Sequence, residues 1–450
     1  MKKQAVLLIH GIGEQKPMDT LRSFVDAVLP DTDTADKYWS KPDTLSANFE
    51  LRRLSSHRRQ ATDFYEYYWA HHVEGTKVSH LFGWVASLVI RRKIDVPDHL
   101  ISLWRLSRLL TISIIALLLS GFVAGLNSDP WTPGWLIGSG IIMACQWFLV
   151  KYIGDAARYL SPSPENIGLR NKIRKEGIQI LRKLHEKKYD RIIVVGHSLG
   201  SVIGYDLISL LWHEYCDTHE KPKRMEQPAI IEVSEAGEAL NTEDSTTLES
   251  YRKAQKHLWF EQIEATNPWR VSDFITLGSP LAHAILLLAR NRKDCERRIH
   301  QRELPTCPPV LDGKTYCYWR KPPYNIDGLK ISLAVLHHAA PFAVTRWTNI
   351  YFPALGGLFG DFVGGPLRTA LGLGIRDIPV TTSRWRGLAK FTPMSHTMYW
   401  EAAKPNQKKK VPAESYPFAL SAIKDVLDLE GLKDFVPNHL KSEEDDQKMV

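Results

Sequence analysis

Residues 191–211 place the tightest constraint on how this chain can fold. The β-branched run Arg191-Ile-Ile-Val-Val195 passes into Gly196-His197-Ser198-Leu199-Gly200 and then into the apolar pattern Ser201-Val-Ile-Gly-Tyr-Asp-Leu-Ile-Ser-Leu-Leu211. A short buried strand, a Gly-x-Ser-x-Gly turn and a helix in that order describe a strained elbow that lifts a serine oxygen to the end of a sheet. Glycines two residues before and two after Ser198 suit such an elbow, because side chains there would collide with neighbouring backbone.

Other segments repeat the strand and helix alternation. Gln4 to Ile9 reads as a buried strand, since its apolar run is too short for the hydrophobic region of a signal peptide despite Lys2 and Lys3. Asp63 to Trp69 is an aromatic-rich strand, and Asp273 to Leu277 and Arg346 to Phe352 are two more. From Glu165 onward, Leu169, Ile173, Ile180, Leu181 and Leu184 recur at helical spacing ahead of the elbow strand. The expected fold class is α/β, with a mostly parallel sheet covered by helices on both faces. The polar stretch from Asp31 to Arg59 reads as loop. Residues 213–264 read as an insertion that is partly helical and partly loose, and 293–330, rich in charge, proline and cysteine, as a surface insertion. A short helix is expected near Ser421 to Leu429, and 431–450 is a charged tail.

The catalytic fold is then residues 1–75 and 159–430, interrupted at 76–158. Leu109 to Leu126 contains no charge and is long enough to cross a bilayer core. Trp135 to Val150 is also uncharged, and Asn127 to Gly134, with Pro130, Pro133 and Gly134, forms a short turn between them. The pattern predicts a two-helix transmembrane hairpin at about 109–126 and 135–152. Arg91, Arg92, Lys93, Arg105 and Arg108 precede it and Lys151 and Arg158 follow it, so both termini are expected on the cytoplasmic side of an inner membrane. The alternative is a hydrophobic helical hairpin buried in a soluble core or lying as a lid over the cleft. Val78 to Val89 fits an interfacial amphipathic helix or a core-packed one equally well. The net charge of +8 clusters beside these apolar runs, which points to anionic lipid rather than nucleic acid as the partner. Five cysteines without paired short spacing argue against a disulfide framework or a zinc site, and no metal or organic cofactor is called for.

A serine hydroxyl needs a base to take its proton, and the base needs an acid to fix its tautomer. The acid is expected just past a strand. Asp361 fits, with Asp327 and Asp377 as competitors. His396, in Ser395-His-Thr-Met-Tyr-Trp400, follows the acid near the end of the catalytic fold and is the expected base; His337 and His338 precede the acid and read as core or loop histidines. The turn His10-Gly11-Ile12-Gly13 after the first strand suits one oxyanion donor, so the backbone N–H groups of Leu199 and Ile12 are the expected pair. His10, Gly11, Gly196, His197 and Gly200 shape the elbow and cleft.

The pieces HGIGEQ (10–15), GHSLGS (196–201), PWRVSDFITLGSPLAHA (268–284), WTNIYF (347–352) with DFVGGPL (361–367), and SHTMYW (395–400) together resemble a lipase-like group of bacterial serine α/β-hydrolases, some with membrane segments. The resemblance implies an α/β-hydrolase fold and ester hydrolysis, with Ser198 as nucleophile, His396 as base and Asp361 as acid. Two features depart from it: Ala354 to Gly360 lengthens the loop before the acid, and the hairpin interrupts the fold. The expected function is a membrane-anchored serine hydrolase acting on lipid-like carboxylic esters through an acyl-serine intermediate. A thioesterase or acyltransferase would use the same residues. A different class is a membrane effector or scaffold that acts through its hairpin, homo-oligomerising there, with the hydrolase domain as sensor.

Overall fold

The computed structural model describes residues 3–11, 16–29, 38–46, 50–57, 60–72, 159, 164–187, 189–218, 227–319, 324–326, 329–331, 334–354, 360–361, 363–382, 393–400 and 416–429, with isolated positions between 92 and 116. Its centre is an eight-stranded sheet of β1 (Lys3–Ile9), β2 (Trp39–Pro42), β3 (Arg52–Ser56), β4 (Ala61–Tyr67), β5 (Arg191–His197), β6 (Val271–Leu277), β7 (Arg346–Tyr351) and β8 (Arg376–Pro379). The spatial order is β8-β7-β6-β5-β1-β4-β3-β2. The six strands from β8 to β4 are parallel, and β3 and β2 add antiparallel to one edge. The expected α/β class with a mostly parallel sheet is thus what the chain adopts.

The runs 5–9 of β1 and 192–195 of β5 are apolar without interruption because both faces are covered. Ala5, Leu7 and Ile9 of β1 and Ile192 and Val194 of β5 pack into one core, while Val6, Leu8, Ile193 and Val195 pack into the other. The first core lies under α2 (Pro164–Glu186), α3 (Leu199–Tyr215), α4 (Pro228–Glu238) and α5 (Ser245–Glu264). The second lies under α1 (Asp19–Val28) and α7 (Ala419–Leu427), with α6 (Arg292–His300) apart from both. The period-2 side-chain alternation of a strand sorts one uninterrupted apolar run into two separate cores.

Topology then locates the site. From β1 the chain leaves toward the β2 edge, whereas from β5 it leaves toward β8. Adjacent strands with oppositely directed connections open a crevice at their carboxyl ends. Ile9 pairs with Gly196 at that crevice, so the loops beginning at His10 and Ser198 emerge side by side.

Four expectations need correction or placement. Residues 31–59 are not all loop: 39–42 and 52–56 are β2 and β3. Both are short and polar: β2 is the edge strand and every residue of it is exposed, while β3, one strand in, buries Leu54, Ser55 and Ser56. The 213–264 stretch is mostly helix, and α5 is not peripheral, since Leu248, Tyr251, Ala254, Leu258 and Trp259 are buried along it. Within 293–330, Cys307 and Tyr316 belong to the main core. The described cysteines, Cys216, Cys295, Cys307 and Cys317, are free. The expected hairpin lies outside the described residues apart from a few positions at its start. Among those, Arg105, Leu109, Ile112 and Ala116 are helical and exposed. Among the described residues no helix is long and apolar enough to cross a membrane.

The elbow's crowding makes a direct test. A Cβ on Gly200 would lie 2.1 Å from the Ile9 carbonyl oxygen and 2.5 Å from that of His10, both rigid backbone atoms. Gly200→Ala is expected to destabilise the fold by about 2 kcal/mol or more through overpacking, read as a lower urea midpoint at unchanged slope.

Candidate active site

Ser198 joins β5 to α3 with φ 51° and ψ −127°, a left-handed conformation that costs a non-glycine residue on the order of 1–3 kcal/mol. The surroundings hold it there. Its backbone N–H donates to Leu277 O at the end of β6 (2.9 Å), and Ser201 Oγ donates to its carbonyl (2.5 Å) while also lying 2.6 Å from Ser279 Oγ. The elbow is thereby tied to the next strand's exit.

Strands β7 and β8 lead on to the other two groups. Asp361 follows β7, and His396 sits in a short 3₁₀ turn, Pro393–Thr397, beyond β8. His396 Nε2 is 2.8 Å from Ser198 Oγ, and its Nδ1 is 3.0 Å from both Oδ1 and Oδ2 of Asp361. A carboxylate only accepts, so Nδ1 carries the proton and Nε2 presents its lone pair to the serine hydroxyl. Ser198, His396 and Asp361, named from three distant stretches of sequence, meet in one hydrogen-bonded line.

Asp361 is fully buried, and burial by itself raises a carboxyl pKa. His396, the Tyr399 hydroxyl and the Gly364 N–H outweigh that, and hold it at about 2. Its Oδ1 accepts from Val363 N and Gly364 N (both 3.0 Å), and its Oδ2 from Tyr399 OH (2.6 Å). The Tyr399 oxygen in turn accepts from Phe352 N (3.2 Å), at the end of β7. Sequence reasoning assigned Tyr399 no role; its only trace there was a tyrosine three residues past His396 in the SHTMYW segment.

His197 and His10 make different contacts around the elbow. His197 Nε2 donates to the His396 carbonyl (2.9 Å), so the residue beside Ser198 fixes the backbone of His396. Burial foremost, then His396, lowers the His197 pKa to about 3, which keeps it neutral. Trp400 packs edge-on to His197 and donates from Nε1 to Ser23 Oγ (3.1 Å), anchoring the His396 segment to α1. The His10 ring stacks on Trp69 at 5.2 Å and its Nδ1 donates to Gly11 O (2.8 Å). Gly11 comes so close to the elbow that a Cβ there would lie 2.8 Å from Ser198 Cβ. Leu199 is the first residue of α3, where backbone N–H groups lack intrahelical partners and the helix dipole is positive. Ile12 lies outside the described residues.

The rival residues are engaged elsewhere or not described. Asp377 accepts from Leu367 N, Arg368 N and Asn349 Nδ2, which bind the β7 and β8 ends together. His337 is buried, with Nε2 donating to Val310 O (2.8 Å). Asp327 lies outside the described residues. Among the described residues the one grouping with metal-ligating spacing is His71, His72 and Glu176, which does not include Ser198.

Tyr399→Phe removes one charge-assisted hydrogen bond from a buried carboxylate and is expected to cost about 1.5–3 kcal/mol at neutral pH. Because the folded pKa of Asp361 is depressed from 3.8 to about 2, stabilisation by its ionised form is complete above the ordinary value and is lost as pH falls toward 2. The gap between wild type and variant in urea unfolding should therefore be constant above about pH 5 and close below about pH 4. Comparisons of the chain with protein-family models, with curated proteins and with solved structures find no match, so the chemistry of this site stands on its own geometry.

Proposed function

We propose that this protein is a serine hydrolase of the α/β-hydrolase type that cleaves carboxylic esters through an acyl-Ser198 intermediate. The observation that carries the reading is the continuous line from Ser198 Oγ through His396 to a buried, ionised Asp361. His396 Nε2 takes the Ser198 proton as Oγ attacks the ester carbonyl, and Asp361 stabilises the imidazolium that results. The oxyanion is received by the backbone N–H of Leu199 at the positive end of α3, with the N–H of Ile12 the second donor expected from the sequence. His396 then protonates the leaving alcohol, and water repeats the sequence to release the acid. A thioester donor or an alcohol acceptor would use the same groups.

The same reading makes the enzyme membrane-anchored, with lipid-like esters as substrate and the catalytic part on the cytoplasmic side. This is supported by the charge-free span from Leu109 to Leu126, by the exposed apolar side chains of the helical residues Leu109 and Ile112, and by Arg105 and Arg108 just before them in sequence. Tethering raises the local concentration of bilayer substrates around the site.

Ser198→Ala should abolish fluorophosphonate labelling and hydrolysis of p-nitrophenyl esters. Asp361→Asn should keep the fold while lowering the hydrolysis rate by roughly two to four orders of magnitude through the wrong histidine tautomer. Full labelling of the Ser198→Ala protein would overturn the mechanism. Recovery of the wild-type protein from expressing cells in the carbonate-extracted supernatant would overturn the membrane anchor.

A further inference from the structure

We propose that His71, His72 and Glu176 form a binding site for a divalent transition-metal ion, with zinc the best match. The two histidines lie in the 3₁₀ turn Ala70–His72 that follows β4, and Glu176 lies midway along α2. His71 Nε2 and His72 Nε2 are 3.6 and 2.6 Å from the same Glu176 Oε2, and all the ligand atoms fall within 4.8 Å of one another. Tetrahedral ligands at zinc distances of about 2.0–2.1 Å sit about 3.3 Å apart. The observed separations bracket that value, so small side-chain rotations complete the geometry.

The proton bookkeeping favours a cation. His71 Nδ1 donates to the Tyr68 carbonyl (2.8 Å), which fixes the proton on that nitrogen and leaves Nε2 with a lone pair beside a carboxylate oxygen. A backbone carbonyl holding the far nitrogen is how metal-bound imidazoles are commonly oriented. One proton can bridge His72 to Glu176, whereas a metal ion satisfies all three groups. Two imidazoles and one carboxylate suit zinc rather than magnesium or calcium, which prefer all-oxygen sites. The supports are rigid: Tyr67 OH donates to Ile173 O of α2 (2.6 Å), and Trp69 Nε1 donates to His10 O (2.9 Å). The three side chains are 38%, 21% and 26% exposed, which gives an ion an entry path and room for water as fourth ligand. The site clamps α2 to the end of β4 and does not depend on the chemistry at Ser198.

The test uses full-length protein without an affinity tag, stripped with a chelator and titrated with zinc by calorimetry and with cobalt by visible absorption. One equivalent should bind with micromolar or tighter Kd, with the intense visible bands of tetrahedral cobalt, and zinc should raise the thermal midpoint. His71→Ala, His72→Ala and Glu176→Gln should each weaken binding at least about tenfold. His257→Ala, at the His257 and Glu232 pair elsewhere on the surface, should leave it unchanged. Absence of saturable binding, or an unchanged Kd in the Glu176→Gln protein, overturns the proposal. Fluorophosphonate labelling of the stripped protein reports Ser198 separately, so the two readings fail independently.

Discussion

Everything at the site follows from how closely two strand exits approach one another. The turn after β5 has space for its left-handed serine only because Gly200 sits against the backbone of Ile9 and His10 at the exit of β1. That contact brings the positive end of α3 and the His10 loop to one point, and the parallel pairing of β1 with β5 keeps it in register. The left-handed backbone of Ser198 is sustained by this packing and by the bond from its N–H to β6.

A second constraint is the buried charge of Asp361. An isolated carboxylate at such a site would take up a proton, yet two loop N–H groups, a tyrosine hydroxyl and the imidazole hold it ionised. Tyr399 connects that carboxylate to the end of β7, His197 holds the carbonyl of His396, and Trp400 reaches α1. The line of three residues is thus braced from the sheet, from the elbow and from the second core. In the proposed mechanism, preorganisation of this kind positions the proton acceptor before any substrate arrives.

The same carboxyl end of the sheet carries the His71 and His72 turn. Trp69 bridges the two regions, since its ring stacks on His10 while its indole N–H holds the His10 carbonyl. Trp69 therefore ties the turn that holds His71 and His72 to the exit of β1.

Much of this architecture was legible in the sequence. The strands β1 and β5 were visible because central parallel strands covered on both faces leave uninterrupted Val, Ile and Leu runs, and β4, β6 and β7 because β-branched and aromatic residues dominate them around a few buried polar side chains. Ser198, Asp361 and His396 were legible because the elbow fixes local geometry and the order of the other two along the chain restricts the choice. The strands β2 and β3 were not, since β2 is an edge in solvent that imposes no apolar pattern and β3 buries a single apolar side chain, Leu54, among polar ones; α5 was hidden by the polar residues of its outer face. Tyr399, the carbonyl contact of His197 and the meeting of His71 and His72 with Glu176 could come only from tertiary structure. They join residues 38, 199 and 104 positions apart, and no periodicity or local motif encodes which distant loops a sheet will bring together.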